Sequence, residues 1–340
     1  MNRLTSAVVA SSLVLFSLPA GAAVAPLPVE IREYPVPTAD ALPHDPAVAP
    51  DGALWVTEQK ANKLGRLDPR SGAWREYPLQ IADSGPHGVT VDRRGNVWFT
   101  ADDKGYIGRL DARTGKVFEY RTPAKAKDPH SLALTPDGMV WFTAERSNLI
   151  GRLDPTTGDV QVKEVPTADA KPYGIVIGSE GFPYFCEFGS NKLARVDPQT
   201  WAIHEYVLPD RGARPRRIAL GLAGELYFTD FARGVLGRLD PLNGRVREWP
   251  SPGGRNSMPY GIAVTSGGEV YYSESGVHPN TLVRFDPNAQ TFAEIAIPSG
   301  GGVVRNMVAT PDGRLFLACS GTNEVAIATP ERKGVAEKQR

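Results

Sequence analysis

The chain of 340 residues carries two cysteines, Cys186 and Cys319. That is too few for a disulfide-stapled scaffold, and it excludes metal or haem sites built on paired cysteines. Neither sign of charge is in surplus, because 38 Lys and Arg balance 38 Asp and Glu. Nucleic-acid binders show a basic excess, so no nucleic-acid partner is expected, although a net charge of zero leaves room for a local basic patch. Phosphate-cradling loops and nucleophile-elbow motifs are absent, and so is a 3.6-residue apolar period. Long apolar runs are missing except for Val8–Leu18 near the start. With Arg3 ahead of it and Ala20-Gly21-Ala22 behind it, that run reads as a secretory signal over residues 1–22, too short to span a bilayer. A periplasmic or secreted protein is expected, with no membrane span after cleavage at Ala22 or Ala23.

Glycine and proline, at 35 and 30 residues, are what the sequence has in quantity. They fall in register. A turn glycine recurs at Gly52, Gly95, Gly138, Gly181, Gly224, Gly268 and Gly313, the first five spaced by 43 residues. An aromatic follows three residues later in six copies (Trp55, Trp98, Trp141, Tyr184, Tyr227, Tyr271), and then comes an element such as Gly-Arg-Leu-Asp-Pro. Length alone would suggest two domains, but this repeat overrides it. Four short strands per repeat predict an all-β, seven-bladed β-propeller over residues 27–330 with antiparallel blades. The last repeat has three strands, and Glu30–Tyr34 resembles the missing outer one, so the N-terminal strand is expected to close the last blade. Residues 331–340 read as a charged, disordered tail. Cys186 and Cys319 fall in blades four and seven, across the ring, too far apart to bridge.

In each blade the residue that opens the first strand should lie at the mouth of the central channel. These residues are His44, His87, His130, Tyr173, Arg216, Tyr260 and Val304-Arg305. Six of the seven follow a proline, and three of the protein's five histidines occupy this one position. The second strand returns to the same face and ends on an acid at Glu58, Asp102, Glu145, Glu187, Asp230 and Glu274. For Glu58 and Glu187 a loop salt bridge is the expected role. A small-molecule or peptide-like ligand at this rim, bound by a monomer, is the expected partner.

The repeats, with Trp-Phe-Thr, Asn-x-Ile/Leu-Gly-Arg-Leu-Asp and Pro-His-Gly-Val/Ile, resemble the streptogramin B lyase (virginiamycin B lyase) family over essentially the whole mature chain. The resemblance implies a C–O lyase that opens a cyclic depsipeptide at its ester by β-elimination, the activity behind streptogramin resistance. It implies Mg²⁺ held by acids, a histidine base, and a second histidine one blade earlier that contacts substrate. The pattern of a histidine, then acid-x-His one blade on, then an acid fifteen residues later, occurs here once. By that match His87 holds substrate, His130 is the base, and Asp128 and Glu145 take the metal. Such a set is chemically coherent, with a neutral imidazole as base and hard oxygens for Mg²⁺. The family places these groups in its last blades, whereas this chain places them in blades two and three. The colinear positions here are Arg216 and Tyr260, with Glu274 nearby.

Three other readings stay open. A non-catalytic binding propeller would use Tyr173, Arg214, Arg216, Arg217, Tyr260 and Arg305 for an acidic or carbonyl-rich ligand. A lactonase-like metal hydrolase would share the axial ion, although its usual acid and Asn ligands are not evident. A three-histidine zinc site would use His44, His87 and His130.

Overall fold

The computed structural model describes residues 24–331. The expected signal segment, and all but the first residue of the expected tail, lie outside them. Seven four-stranded antiparallel sheets form the blades. Blade one runs Pro43–Val48, Leu54–Glu58, Lys63–Leu67 and Trp74–Pro78, and blades two to six repeat that order. The seven first strands pack side by side, each on the next, with the last returning to the first. This closed ring is the seven-bladed β-propeller that the repeat count predicts.

All seven repeat glycines have positive φ, between 82° and 92°. A residue with a Cβ would be strained there, which is why the sequence fixes glycine at the turn between first and second strands. Closure follows the expected scheme. Blade seven contributes Val304–Ala309, Leu315–Cys319 and Glu324–Pro330, and Val29–Pro35 pairs antiparallel with the last of these, Tyr34 opposite Val325. A feature not anticipated lies just before it. Ala25–Pro26 pairs parallel with Thr291–Ala296, adding a fifth strand to blade six.

The core is a series of apolar layers between adjacent blades, with Trp55, Phe99, Trp141, Phe185, Phe228 and Tyr272 almost fully buried. Cys186 and Cys319 are both free and buried. No helix among the described residues is long and apolar enough to cross a membrane.

Two local devices shape the channel mouth. Every first strand carries a register shift at its start, for example between Pro86 and Val89 or Pro129 and Leu132. A bulge re-aims side chains, so the residue after the proline and the one after that are both set apart from the strand's alternation. In five of the seven blades a hydroxyl then stitches the bulge to the next blade. Thr57 Oγ1 accepts from Asp45 N at 3.0 Å and donates to His87 O at 2.7 Å. Thr100 accepts from Gly88 N at 2.8 Å and donates to His130 O at 2.6 Å. Thr143, Thr229 and Ser273 repeat the pattern. The threonine of Trp-Phe-Thr thus locks the backbone of the next blade's mouth residue. In blade four Cys186 occupies this position, and a thiol is a weak substitute for the hydroxyl.

Candidate active site

The three histidines of blades one to three form a continuous stack. The ring centroids of His44 and His87 are 3.7 Å apart, those of His87 and His130 are 3.8 Å apart, and Tyr173 follows His130 at 4.1 Å. All four residues are buried. Their backbone-side nitrogens are engaged: His44 Nδ1 lies 3.0 Å from Asp45 Oδ1, His87 Nδ1 3.2 Å from His130 O, and His130 Nδ1 3.0 Å from Ser131 Oγ. Because a carbonyl oxygen can only accept, His87 carries its proton on Nδ1. Burial lowers His44 to about 4, against a partial restoring effect from Asp45. Burial, followed by the charge of neighbouring groups, lowers His87 and His130 well below the ordinary range. The stack is therefore neutral at physiological pH.

The second position of each bulge supplies what the sequence reading missed. Arg217 of blade five reaches across the axis to Asp45 of blade one, with Nη2–Oδ1 at 2.5 Å and Nη1–Oδ2 at 3.0 Å, and its Nη1 also lies 3.3 Å from Ser131 Oγ of blade three. Both partners of this bidentate pair are buried. Burial alone would raise Asp45, but the Arg217 charge and the His44 hydrogen bond overcome it and hold the carboxyl well below its usual range. Arg217 belonged to the expected binding set, whereas Asp45 did not.

On the opposite arc Arg216 is boxed by aromatics. Its guanidinium lies 3.9 Å from the Tyr260 ring centroid, 4.3 Å from Phe231, 4.8 Å from Phe188 and 5.0 Å from Tyr173. The Tyr173 and Tyr260 hydroxyls meet at 2.6 Å, and Arg216 Nη2 donates to Tyr173 at 3.3 Å. Phe188 and Phe231 each directly follow a second-strand acid, so the register that located the acids also locates them. Arg305, half-buried in blade seven, adds its charge to His44 and His87. The structure therefore brings Tyr173, Arg216 and Tyr260 together, with Arg305 on the histidine side.

The proposed catalytic set is only partly assembled. Glu145 Oε2 lies 3.5 Å from His130 Nε2 and is half-exposed. Burial raises its pKa, while Arg216 and Arg146 oppose the rise. Asp128, whose charge adds to the rise at Glu145, is hydrogen-bonded to neither member of this pair. Its two carboxylate oxygens accept hydrogen bonds from Arg146 N and Ser147 Oγ, and the Arg146 guanidinium sits 3.6 Å from Oδ2. Mg²⁺ is held by negatively charged hard oxygens, and here the Arg146 guanidinium already neutralises Asp128 while each of its oxygens accepts a hydrogen bond. The Asp128–Glu145 pair, as placed, does not fit the ion. A different group, His44, Asp45 and His87, has donor atoms within 4.8 Å of one another. However, both Asp45 oxygens are held by Arg217, and two nitrogens are not the ligands a hard ion prefers.

The other second-strand acids serve the scaffold. Lys63 pairs with Glu76 at 2.8 Å rather than with Glu58, and Lys192 pairs with Glu205 rather than with Glu187. The expected loop salt bridges at Glu58 and Glu187 are therefore not formed. Burial, with Glu76 beside it, raises Glu58 to about 8, and burial raises Glu187 to about 7.

The fold and mouth together define a propeller with an ionisable, aromatic-lined axial site. The virginiamycin B lyase family model matches residues 20–284, and the chain belongs to that family. A streptogramin B lyase structure superimposes with a TM-score of 0.82 at 25% identity, over 89% of this chain and 98% of the other. The virginiamycin B lyase of Staphylococcus aureus superimposes at 0.81 and 25% identity, over 88% and 99%. A catalytically inactive histidine-to-alanine variant of the staphylococcal enzyme, solved with quinupristin, matches at 0.80 and 24% identity, over 88% and 99%. Among curated proteins no relative matches.

Proposed function

We propose that the channel mouth is a C–O lyase site acting on a cyclic, carbonyl-rich, peptide-like ester, with His130 as the base. The pairing of His130 Nε2 with Glu145 at 3.5 Å, close to the boxed Arg216, carries this reading. In the tautomer that carries its proton on Nδ1, His130 presents the Nε2 lone pair to a substrate Cα–H. As the proton moves to Nε2, the C–H electron pair becomes the Cα–Cβ double bond. The Cβ–O bond then breaks and its electrons leave with the ester carboxylate. Glu145 is placed to stabilise the imidazolium that forms, offsetting the burial and neighbouring arginines that hold His130 neutral. Arg216 is placed to neutralise the developing enolate or the departing carboxylate through directed N–H donors. His87, Tyr173, Tyr260 and Arg305 would hold the substrate. No step runs through a metal, because the charge of Asp128 is already answered by Arg146. Export to the periplasm or beyond is part of the same proposal and rests on the N-terminal segment.

A binding propeller without turnover is the second reading. It is favoured by Tyr260, which stands where the colinear family position carries a histidine. Incubation with a streptogramin B depsipeptide, followed by mass spectrometry, separates the outcomes. Elimination gives a linear product of unchanged mass with a new ultraviolet-absorbing double bond. A lactonase-like hydrolase gives a product one water heavier, and a binder returns the ring intact.

A further inference from the structure

We propose that the face opposite the mouth carries a second binding site, for a compact polyanion bearing several phosphate or sulfate groups, in the cleft between blades one and two. The turns joining first to second strands lie at the other end of the first strands from His44 and His87. A cleft of about 890 Å³ opens there, large enough for a small organic ligand. Arg66, Arg75, Arg93, Arg94, Arg109 and Arg113 line it, and Asp51 and Asp111 are the only acids, an excess of four positive charges in a protein that is neutral overall.

The chain's own repeat shows that this excess is local. The two residues before the turn glycine are Pro50-Asp51, Pro136-Asp137, Ser179-Glu180 and Pro311-Asp312 in blades one, three, four and seven, and are uncharged in blades five and six. Blade two alone places Arg93-Arg94 there. Among the described residues, Arg66 with Asp51 at 2.9 Å is the one ion pair these six arginines make. Asp92, adjacent to the pair in sequence, is spent inside its own turn on Arg94 N, Asn96 and the Trp98 indole. Aromatic faces hold two guanidiniums in place: Arg75 lies 4.7 Å from the Tyr77 ring and Arg109 4.4 Å from Phe118. Arg109 Nε is buried with no partner. A neighbouring cleft, of about 510 Å³, shares Arg93, Arg94 and Arg109 but sets Asp92, Asp137 and Asp154 against them, so the positive excess is confined to the cleft between blades one and two.

A single exposed guanidinium holds a single anion weakly in water. Several converging ones suit a ligand with several oxyanion groups, each matching the planar fork. The bounded cleft favours a compact ligand over a polymer.

Isothermal titration with inositol hexakisphosphate, and separately with sucrose octasulfate, at low and at physiological salt tests the proposal. Binding should weaken with salt, and whichever probe binds tighter identifies the oxyanion. The double variant R93P/R94D, which gives blade two the turn of blades one and three and so keeps the fold, should lose roughly tenfold or more in affinity by removing two guanidinium contacts. Arg216→Ala, at the mouth, should bind as the wild type does. Absence of binding to both probes at low salt, unchanged binding by the double variant, or loss in Arg216→Ala would overturn it.

Discussion

At the scale of single residues, the mouth is governed by what each bulge places second. Asp45 and Arg217 are buried and bidentate, so removing one partner leaves a charge stranded in a low dielectric. Arg217→Met should cost about 3–5 kcal/mol in chemical denaturation, and the double variant with Asp45→Leu should recover much of it. Equal losses in the single and double variants would mean that the pair itself is not the source. The histidine stack contributes to the acid limb of stability. His44 titrates near 4 in the folded chain against 6.5 unfolded, so below pH 6.5 the unfolded chain gains protons that the folded one refuses. The stability present above pH 6.5 is lost as pH falls toward 4, and His87 and His130 act in the same direction. His44→Gln should flatten that limb in melting temperatures taken across this range.

At the scale of the strand and its turn, threonine hydroxyls do the stitching. Thr100→Val would strand Gly88 N and leave His130 O with only its His87 Nδ1 donor, a loss of roughly 1–3 kcal/mol for the buried group left unpaired. It should also lower any elimination activity, since it removes one of the two hydrogen bonds that hold the His130 backbone. Glu58 and Glu187 set the opposite, alkaline limb. Their folded pKa values near 8 and 7 lie above the ordinary 4.5. The stability they add is therefore complete below pH 4.5 and disappears as pH rises through 7 to 8. Glu58→Gln should match the wild type at pH 5 and melt higher at pH 9, and a variant that melts lower at pH 9 would contradict this. This scale also shows what the sequence could disclose. Turn glycines recur in every blade, prolines lead six of the seven first strands and the hydroxyl of Trp-Phe-Thr recurs in five blades, so the blade register and the identities of the mouth residues are readable from local signals. The partners of Asp128 were not, because the loop from Glu145 to Asn148 folds back on it through Arg146 N and Ser147, a contact with no periodic trace. The two-residue strand at Ala25–Pro26 is too short to carry any pattern.

At the scale of the whole molecule, ring closure decides what meets what. Asp45 and Arg217 stand 172 residues apart, in blades that only the closed ring brings face to face, so no reading of neighbouring blades pairs them. Closure depends on Val29–Pro35 covering Glu324–Pro330, where Val325 and Ile327 are buried. A chain lacking residues 29–35 should leave that strand edge raw and melt well below the full chain in calorimetry. The central claim is that this ring carries His130 as the base of an elimination without a metal ligated by Asp128. It is tested most directly by following depsipeptide opening in the wild type, His130→Ala and Asp128→Asn, each with and without chelator. The account predicts a product of unchanged mass from the wild type in both conditions, none from His130→Ala, and substantial activity from Asp128→Asn. Activity that survives in His130→Ala, or that chelator and Asp128→Asn both abolish, would contradict it.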